Sequence, residues 1–283
     1  MAQAILAYLD AGKSDRFIGA IASHWKDTPL RDITGVAVRQ SGPKLYPEAS
    51  RGTWNRQVIT PTKAIINYAA EFGWCSPIKV KRYDHVAETK TPASLEWVNA
   101  FSTQATEDGL SHLAALCLFM FGTAARVGEA TQMTWNEINL STGKATLYGD
   151  KPKPWERTAH LQSRVVAAIG NIPSNRNPDG QVFKYAETGS VEKVWRNVCV
   201  RAGIEPLTPH CCRHGFATHM LRKGVDVVTI AKRGGWKDPA IVLRTYAHAL
   251  DDVTITDALF DTPATQSDNL ADLSIGKERK KTT

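Results

Sequence analysis

Apolar residues recur at helical spacing through the first part of the chain. Ala2–Leu9 is apolar with a period near one helical turn. Arg51–Trp74 carries Trp54, Val58, Ile65, Ile66, Ala69, Ala70 and Phe72 on one stripe. Such a stripe turns one face of a helix toward a core. The pattern therefore predicts short helices joined by polar turns over residues 1–90. The periodicity stops in the charged stretch Lys79–Pro92, which reads as an interdomain linker. Apolar runs return near residue 93. Leu110–Phe121 predicts a helix broken at Gly122-Thr123, and a second helix starts near Ala125. Lys144–Tyr148 and Arg157–Leu161 predict two strands around a Lys/Pro-rich turn, with Gln181–Phe183 as a third. Val191–Val200 is helical again. The next elements have clear start signals. Thr208-Pro209 opens a helix running to near Gly224, Asp226 caps Val227–Arg233, and Asp238-Pro239 opens Ala240–Leu250.

These elements predict a mainly α protein with a small antiparallel β-sheet. The expected division is a helical domain over 1–85, a linker over 86–92, a second domain over 93–262 and a mobile basic tail over 263–283, ending in KERKKTT. A length of 283 residues suits two domains. No apolar run reaches the roughly eighteen residues of a membrane span, and the N-terminus lacks a secretory leader, so a cytoplasmic protein is expected. Five cysteines without regular spacing fit a reducing compartment and no disulfide framework. No second ligand pair accompanies His210-Cys211-Cys212-Arg213-His214, so no metal is expected there. The net charge of +7 suits an anionic partner, nucleic acid first. In the first domain Arg51, Arg56, Lys63, Lys79, Lys81 and Arg82 are either a solvated face or a face that tracks a DNA backbone.

Candidate chemistry lies in the second domain. His210 and Arg213, three apart near a helix start, put an imidazole and a guanidinium on one face, where backbone N–H groups already favour an anion. Arg126 offers a planar fork for phosphate oxygens, with Glu129 one turn on. Lys151 and Lys153 sit at the hairpin tip, where a lysine can protonate a leaving oxygen. Tyr246 lies in RTYAHA, ten residues after Trp236. Each has an ordinary reading when taken alone: a surface HxxR, an i,i+3 ion pair, solvating lysines, a half-buried tyrosine.

Taken in order they are more specific. The stretches GTAARVGEATQMTW, GDKPKPWERTAHL, LTPHCCRHGFATHML and RGGWKDPAIVLRTYAH resemble the boxes of the tyrosine recombinases, the phage-integrase family. The likeness spans most of residues 110–250. It implies a helical core-binding domain before an α/β catalytic domain. It also implies catalytic roles for Arg126, Lys151 (with Lys153 as rival), His210, Arg213, Trp236 and the nucleophile Tyr246, with Glu129 in support. The chain departs from the family at Cys212, where Leu is usual, and at Gly234-Gly235, where Leu-Gly is usual.

The resemblance implies a site-specific recombinase that cuts and rejoins DNA through a 3′-phosphotyrosyl bond. Two arginines neutralise the phosphoryl charge, His210 takes the tyrosine proton directly or through water, Lys151 protonates the leaving 5′-oxygen, and Trp236 shields the phosphate. No metal or nucleotide cofactor is implied. The implied partners are double-stranded DNA, three further copies in a tetramer and accessory DNA-bending proteins, with residues 251–262 docking on a neighbour. No membrane and no additional arm-site domain are expected. A type IB topoisomerase and a catalytically silent DNA-binding protein of the same fold are the alternatives.

Overall fold

The computed structural model describes residues 1–85, 90–149, 155–185 and 188–246. The chain divides into two compact units, residues 1–88 and 89–283.

The first unit contains α1 (Ala2–Asp10), α2 (Ile18–Trp25), α3 (Gly35–Leu45), α4 (Arg51–Trp54) and α5 (Thr60–Glu71). Ile5, Ile21, Ile33, Val38, Ile65 and Ile66 form its core. The expected long helix over Arg51–Trp74 is interrupted by a π turn at Asn55–Ile59. Pro61 accounts for it: the residue has no N–H to donate and its ring would strike the carbonyl one turn back. Widening the helix accommodates both, and Thr60 Oγ1 donates to the Asn55 carbonyl at 2.7 Å. Val58, Ile65, Ile66 and Ala69 are buried as the stripe predicts, whereas Phe72, at the helix end, is 55% exposed. The six basic residues of this unit named above are all exposed. Irregular chain up to His85 packs on these helices, so the expected linker does not begin at Lys79. Asn55 exchanges two hydrogen bonds with the Tyr83 backbone, at 2.8 and 2.9 Å, and Tyr83 Oη donates to the Arg39 carbonyl at 2.9 Å. The approach requires glycine at Gly35, where a Cβ would lie 2.2 Å from the Lys79 carbonyl oxygen.

The second unit holds α6 (Leu95–Glu107), α7 (Ser111–Thr123), α8 (Val127–Thr131), β1 (Ile138–Asn139), β2 (Lys144–Gly149), β3 (Trp155–His160), α9 (Ser163–Gly170), α10 (Thr188–Arg201), α11 (Cys211–Arg222), α12 (Val227–Gly234) and α13 (Pro239–Tyr246). The fold is mainly α with one small antiparallel sheet in the order β1-β2-β3. Its third strand is β1 rather than Gln181–Phe183. That segment makes one isolated bridge, Thr134 to Gln181, and otherwise buries Val182 and Phe183 in the core. α7 is apolar on nearly every side because α6, α9 and α11 surround it. Trp195 of α10 packs at 4.2 Å on Phe101 of α6.

Cys117 of α7 and Cys212 of α11 face each other with sulfurs 3.9 Å apart, so a compact thiol fills the place where Leu was expected. Cys199 and Cys211 are also buried in this unit, and all the cysteines are free. A second cluster joins Phe216, Leu221, Ile230, Val242 and Tyr246, and it packs α12 and α13 on α11. The Asp226 side chain caps α12 by accepting from Thr229 N at 2.9 Å, and Asp238 accepts from Ala240 N at 2.9 Å. α11 starts later than Thr208-Pro209 suggests. Residues 208–210 form a tight turn of i to i+3 bonds, with Cys211 N donating to the Thr208 carbonyl at 2.9 Å, and His210 becomes the N-cap. The helix predicted to reach Leu250 is described to Tyr246. The expected tail and docking segment lie outside the described residues.

Candidate active site

The polar centre of the second unit is built where the starts of α8 and α11 meet the turn between α12 and α13, with β3 alongside. α7 ends on Ala124, whose φ of +57° is left-handed. A residue with a Cβ accepts that conformation at a cost of roughly 1–2 kcal/mol. The turn brings the Ala124 carbonyl to Arg213, whose Nη1 donates to it at 2.5 Å and to the Gly234 carbonyl at 2.6 Å.

Arg213 is 2% exposed, and its guanidinium lies 3.7 Å from the centre of the Trp236 ring. Nη2 is buried without a hydrogen-bond partner. Burial first, then the charges of Arg126 and Arg157, bring the Arg213 pKa down to about 10, which leaves it cationic at neutral pH. A buried guanidinium with unused donors is a natural seat for an anion. Gly234 makes the stacking possible, because a Cβ there would lie 1.9 Å from the Trp236 ring. Gly235 closes α12 at a φ of +69°, a left-handed cap. The departure from Leu-Gly thus accompanies an indole folded back over its own backbone.

Tyr246, 3% exposed, places its hydroxyl 2.8 Å from Nδ1 of His214. Its ring meets Trp236 edge-on at 6.1 Å. Burial pushes the phenol up to about 12, partly offset by Arg213. His214 is brought down to about 4 by burial first, then by His210, Arg213 and Lys90. His210 stands edge-on to His214 at 4.8 Å. Surrounding protein, then Arg213 and Arg126, lower its pKa too, although the residue as a whole is exposed.

Arg126 is the N-cap of α8. Its guanidinium pairs with Glu129, and Glu129 Oε2 accepts the Arg126 backbone N–H at 3.0 Å. Arg157 completes this side: Nη2 is 3.8 Å from Glu129 and Nη1 donates to the Arg233 carbonyl at 2.9 Å. Glu129→Ala is expected to lower stability by about 2–4 kcal/mol, mostly because Arg157, buried, loses its counter-charge. Thermal unfolding checks this, and Glu129→Gln, which can still accept the cap bond, should recover only part.

The structure brings Arg126, His210, Arg213, Trp236 and Tyr246 into one connected cluster. Lys151 and Lys153 lie outside the described residues. Two members were missed in the sequence. His214 is one residue from Arg213 and one turn from His210. Arg157 pairs with Leu147 in the antiparallel register, and Leu147 is buried. A charged residue at an inward strand position was the available signal. Among the described residues, no group of three or more His, Cys, Asp or Glu could hold a metal ion. No described helix is long and apolar enough to cross a membrane.

The second unit thus sets arginines and histidines around a buried tyrosine on a mainly helical fold with a small antiparallel sheet. The Phage integrase family model matches residues 94–252, more than half of the chain. The chain belongs to this family, the tyrosine recombinases. It is 33% identical over 121 residues to tyrosine recombinase XerA of Pyrococcus furiosus, covering 40% of this chain and 42% of that protein. It is 35% identical over 134 residues to XerD of Bifidobacterium longum, covering 41% and 43%. The chain thus spans less than half the length of these relatives. A resolvase, TnP I of Bacillus thuringiensis, is 22% identical over 239 residues, covering 82% and 74%. Among solved structures, the Tn1549 transposon integrase in complex with circular intermediate DNA shares the fold, with a TM-score of 0.63 and 14% identity over 83% of this chain and 87% of that one. The XerA recombinase structure gives 0.52 and 18% over 92% and 98%.

Proposed function

We propose that this chain is a site-specific DNA recombinase in which Tyr246 attacks a DNA phosphodiester and holds the 3′-phosphate covalently until a 5′-hydroxyl displaces it. The observation that carries the reading is the buried Tyr246 hydroxyl, seated in one cluster with Arg213, Trp236 and two histidines. In this reading Arg126 and Arg213 take the non-bridging oxygens and stabilise the charge that grows in the pentacoordinate state. His210 adds a contact at the exposed mouth. Trp236 holds the Arg213 guanidinium flat and shields the phosphate. Lys151, or Lys153, protonates the leaving 5′-oxygen. Arginines can thus do the charge neutralisation without a metal, and the phosphotyrosyl bond conserves the broken bond without a nucleotide cofactor. Because Tyr246 shares its own chain's cluster, the reading favours cleavage in cis.

The first unit, proposed as the core-binding domain over 1–85, grips the duplex through exposed Arg51, Arg56, Lys63, Lys79, Lys81 and Arg82. Residues 86–92 link it to the catalytic domain over 93–262, with the tail from 263. Tetramer formation on paired sites, help from DNA-bending proteins and a cytoplasmic location belong to the same reading. Nicked duplexes test it: a denaturant-resistant adduct at the 3′-phosphate is expected, and strand exchange between two sites should follow. Relaxation of supercoils without exchange would point to a topoisomerase. Tight binding without any adduct would leave a silent DNA-binding protein.

A further inference from the structure

We propose that His214, rather than His210, receives the proton of Tyr246 as its hydroxyl attacks the phosphate; the step rests on the recombinase reading above. The geometry is direct. Nδ1 of His214 lies 2.8 Å from the tyrosine oxygen, within the reach required of a general base. His210 contacts His214 through its ring edge and lies one turn earlier. The balance is simple. The Tyr246 oxygen–phosphorus bond forms and the phosphorus–O5′ bond breaks. The phenolic proton moves to Nδ1, giving an imidazolium, and the 5′-oxygen takes a proton from the hairpin lysine. Rejoining reverses each transfer.

The groups facing His214 make this step depend on substrate. Burial first, then His210 at the N-cap of α11, Arg213 of α11 and Lys90 ahead of α6 all disfavour its charged form. In the free chain the phenol therefore keeps its proton. A phosphodiester anion seated on Arg213 and Arg126 offsets those positive fields, so the imidazole becomes a stronger base when the phosphate is present. The nucleophile is thus held protonated until there is something to attack.

Two measurements test the proposal. Nitrogen-15 histidine NMR of the full chain reads the tautomer without DNA. A neutral His214 at pH 7.5 with its proton on Nε2 and an accepting Nδ1, perturbed by Tyr246→Phe, is expected. A proton on Nδ1 would overturn the assignment. The second uses a pool of nicked duplexes with a randomised site, enriched by covalent capture on the wild-type chain. Adduct formation by His214→Ala should be slower by about 10²–10⁴-fold and should rise about tenfold per pH unit above neutrality, as hydroxide replaces the lost base. His214→Asn offers an acceptor near the Nδ1 position that cannot be protonated, and should stay as slow. If His214→Asn or His214→Ala cleaves within a few-fold of wild type, His214 is not the proton acceptor. If wild type forms no adduct while the NMR signature is present, the recombinase reading fails and takes the proton step with it, leaving the hydrogen bond in place.

Discussion

Tyr246→Phe is expected to abolish the covalent protein–DNA adduct while leaving DNA affinity within a few-fold of wild type. The substitution removes one oxygen, and with it the only atom of this side chain able to bond phosphorus. The ring should stay where it is, because it is held by apolar neighbours: Phe216, Leu221, Ile230 and Val242 belong to the same buried cluster. The lost contact to His214 costs about 1 kcal/mol on the scale of a side-chain hydrogen bond, too little to unfold the unit. Affinity for DNA comes mostly from basic residues on phosphates, and none of these changes. Gel separation under denaturing conditions reads the adduct, and titration of labelled duplex reads affinity. An adduct that persists in Tyr246→Phe would move the nucleophile elsewhere and dismantle the proposed mechanism.

Arg213→Ala carries the second largest effect, and it has two parts. Loss of a preorganised charge at the developing phosphoryl oxyanion is expected to slow cleavage by about 10³-fold or more. The same side chain also has a structural duty, since it satisfies the carbonyls of Ala124 and Gly234 and lies flat on Trp236. Removing it leaves buried acceptors unpaired at about 1–3 kcal/mol each. The thermal midpoint should therefore fall together with the rate. Arg213→Lys separates the two duties. A lysine keeps the positive charge but not the planar fork, and cannot stack as a flat ion on the indole. Its stability should recover further than its cleavage rate. Cleavage by Arg213→Ala at a rate near wild type would remove Arg213 from the reaction altogether.

Much of this architecture was legible in the residues, for reasons that differ by position. Helix starts were readable where a short polar side chain caps locally: Asp226 and Asp238 act within their own turns, as their spacing predicts. Thr208-Pro209 misled by a few residues because a tight turn at His210 can use the same residues. The π turn before Pro61 follows from proline chemistry, yet apolar periodicity passes through it unbroken. The strand expected at Gln181–Phe183 shows the limit of short apolar runs, whose burial can come from plugging a core as readily as from pairing. At the site, the order of charged and aromatic residues singled out Arg126, His210, Arg213, Trp236 and Tyr246, which the fold places near one another. The partners His214 and Arg157 escaped notice. Their importance lies in contacts between α11 and α13 and between β3 and α8, which local spacing does not encode.

The cysteines give each unit its own chemical clock. Cys75 is the one thiol of the first unit and is half-buried, whereas Cys117, Cys199, Cys211 and Cys212 are sealed in the second. A thiol reacts only as its solvated anion, so each buried sulfur must wait for its surroundings to open. Labelling of the full chain should proceed in a fast phase of one equivalent, assigned by Cys75→Ser. The slower phase should report opening of the second unit, so that one alkylation time course separates the thiol that solvent already reaches from those that wait on unfolding.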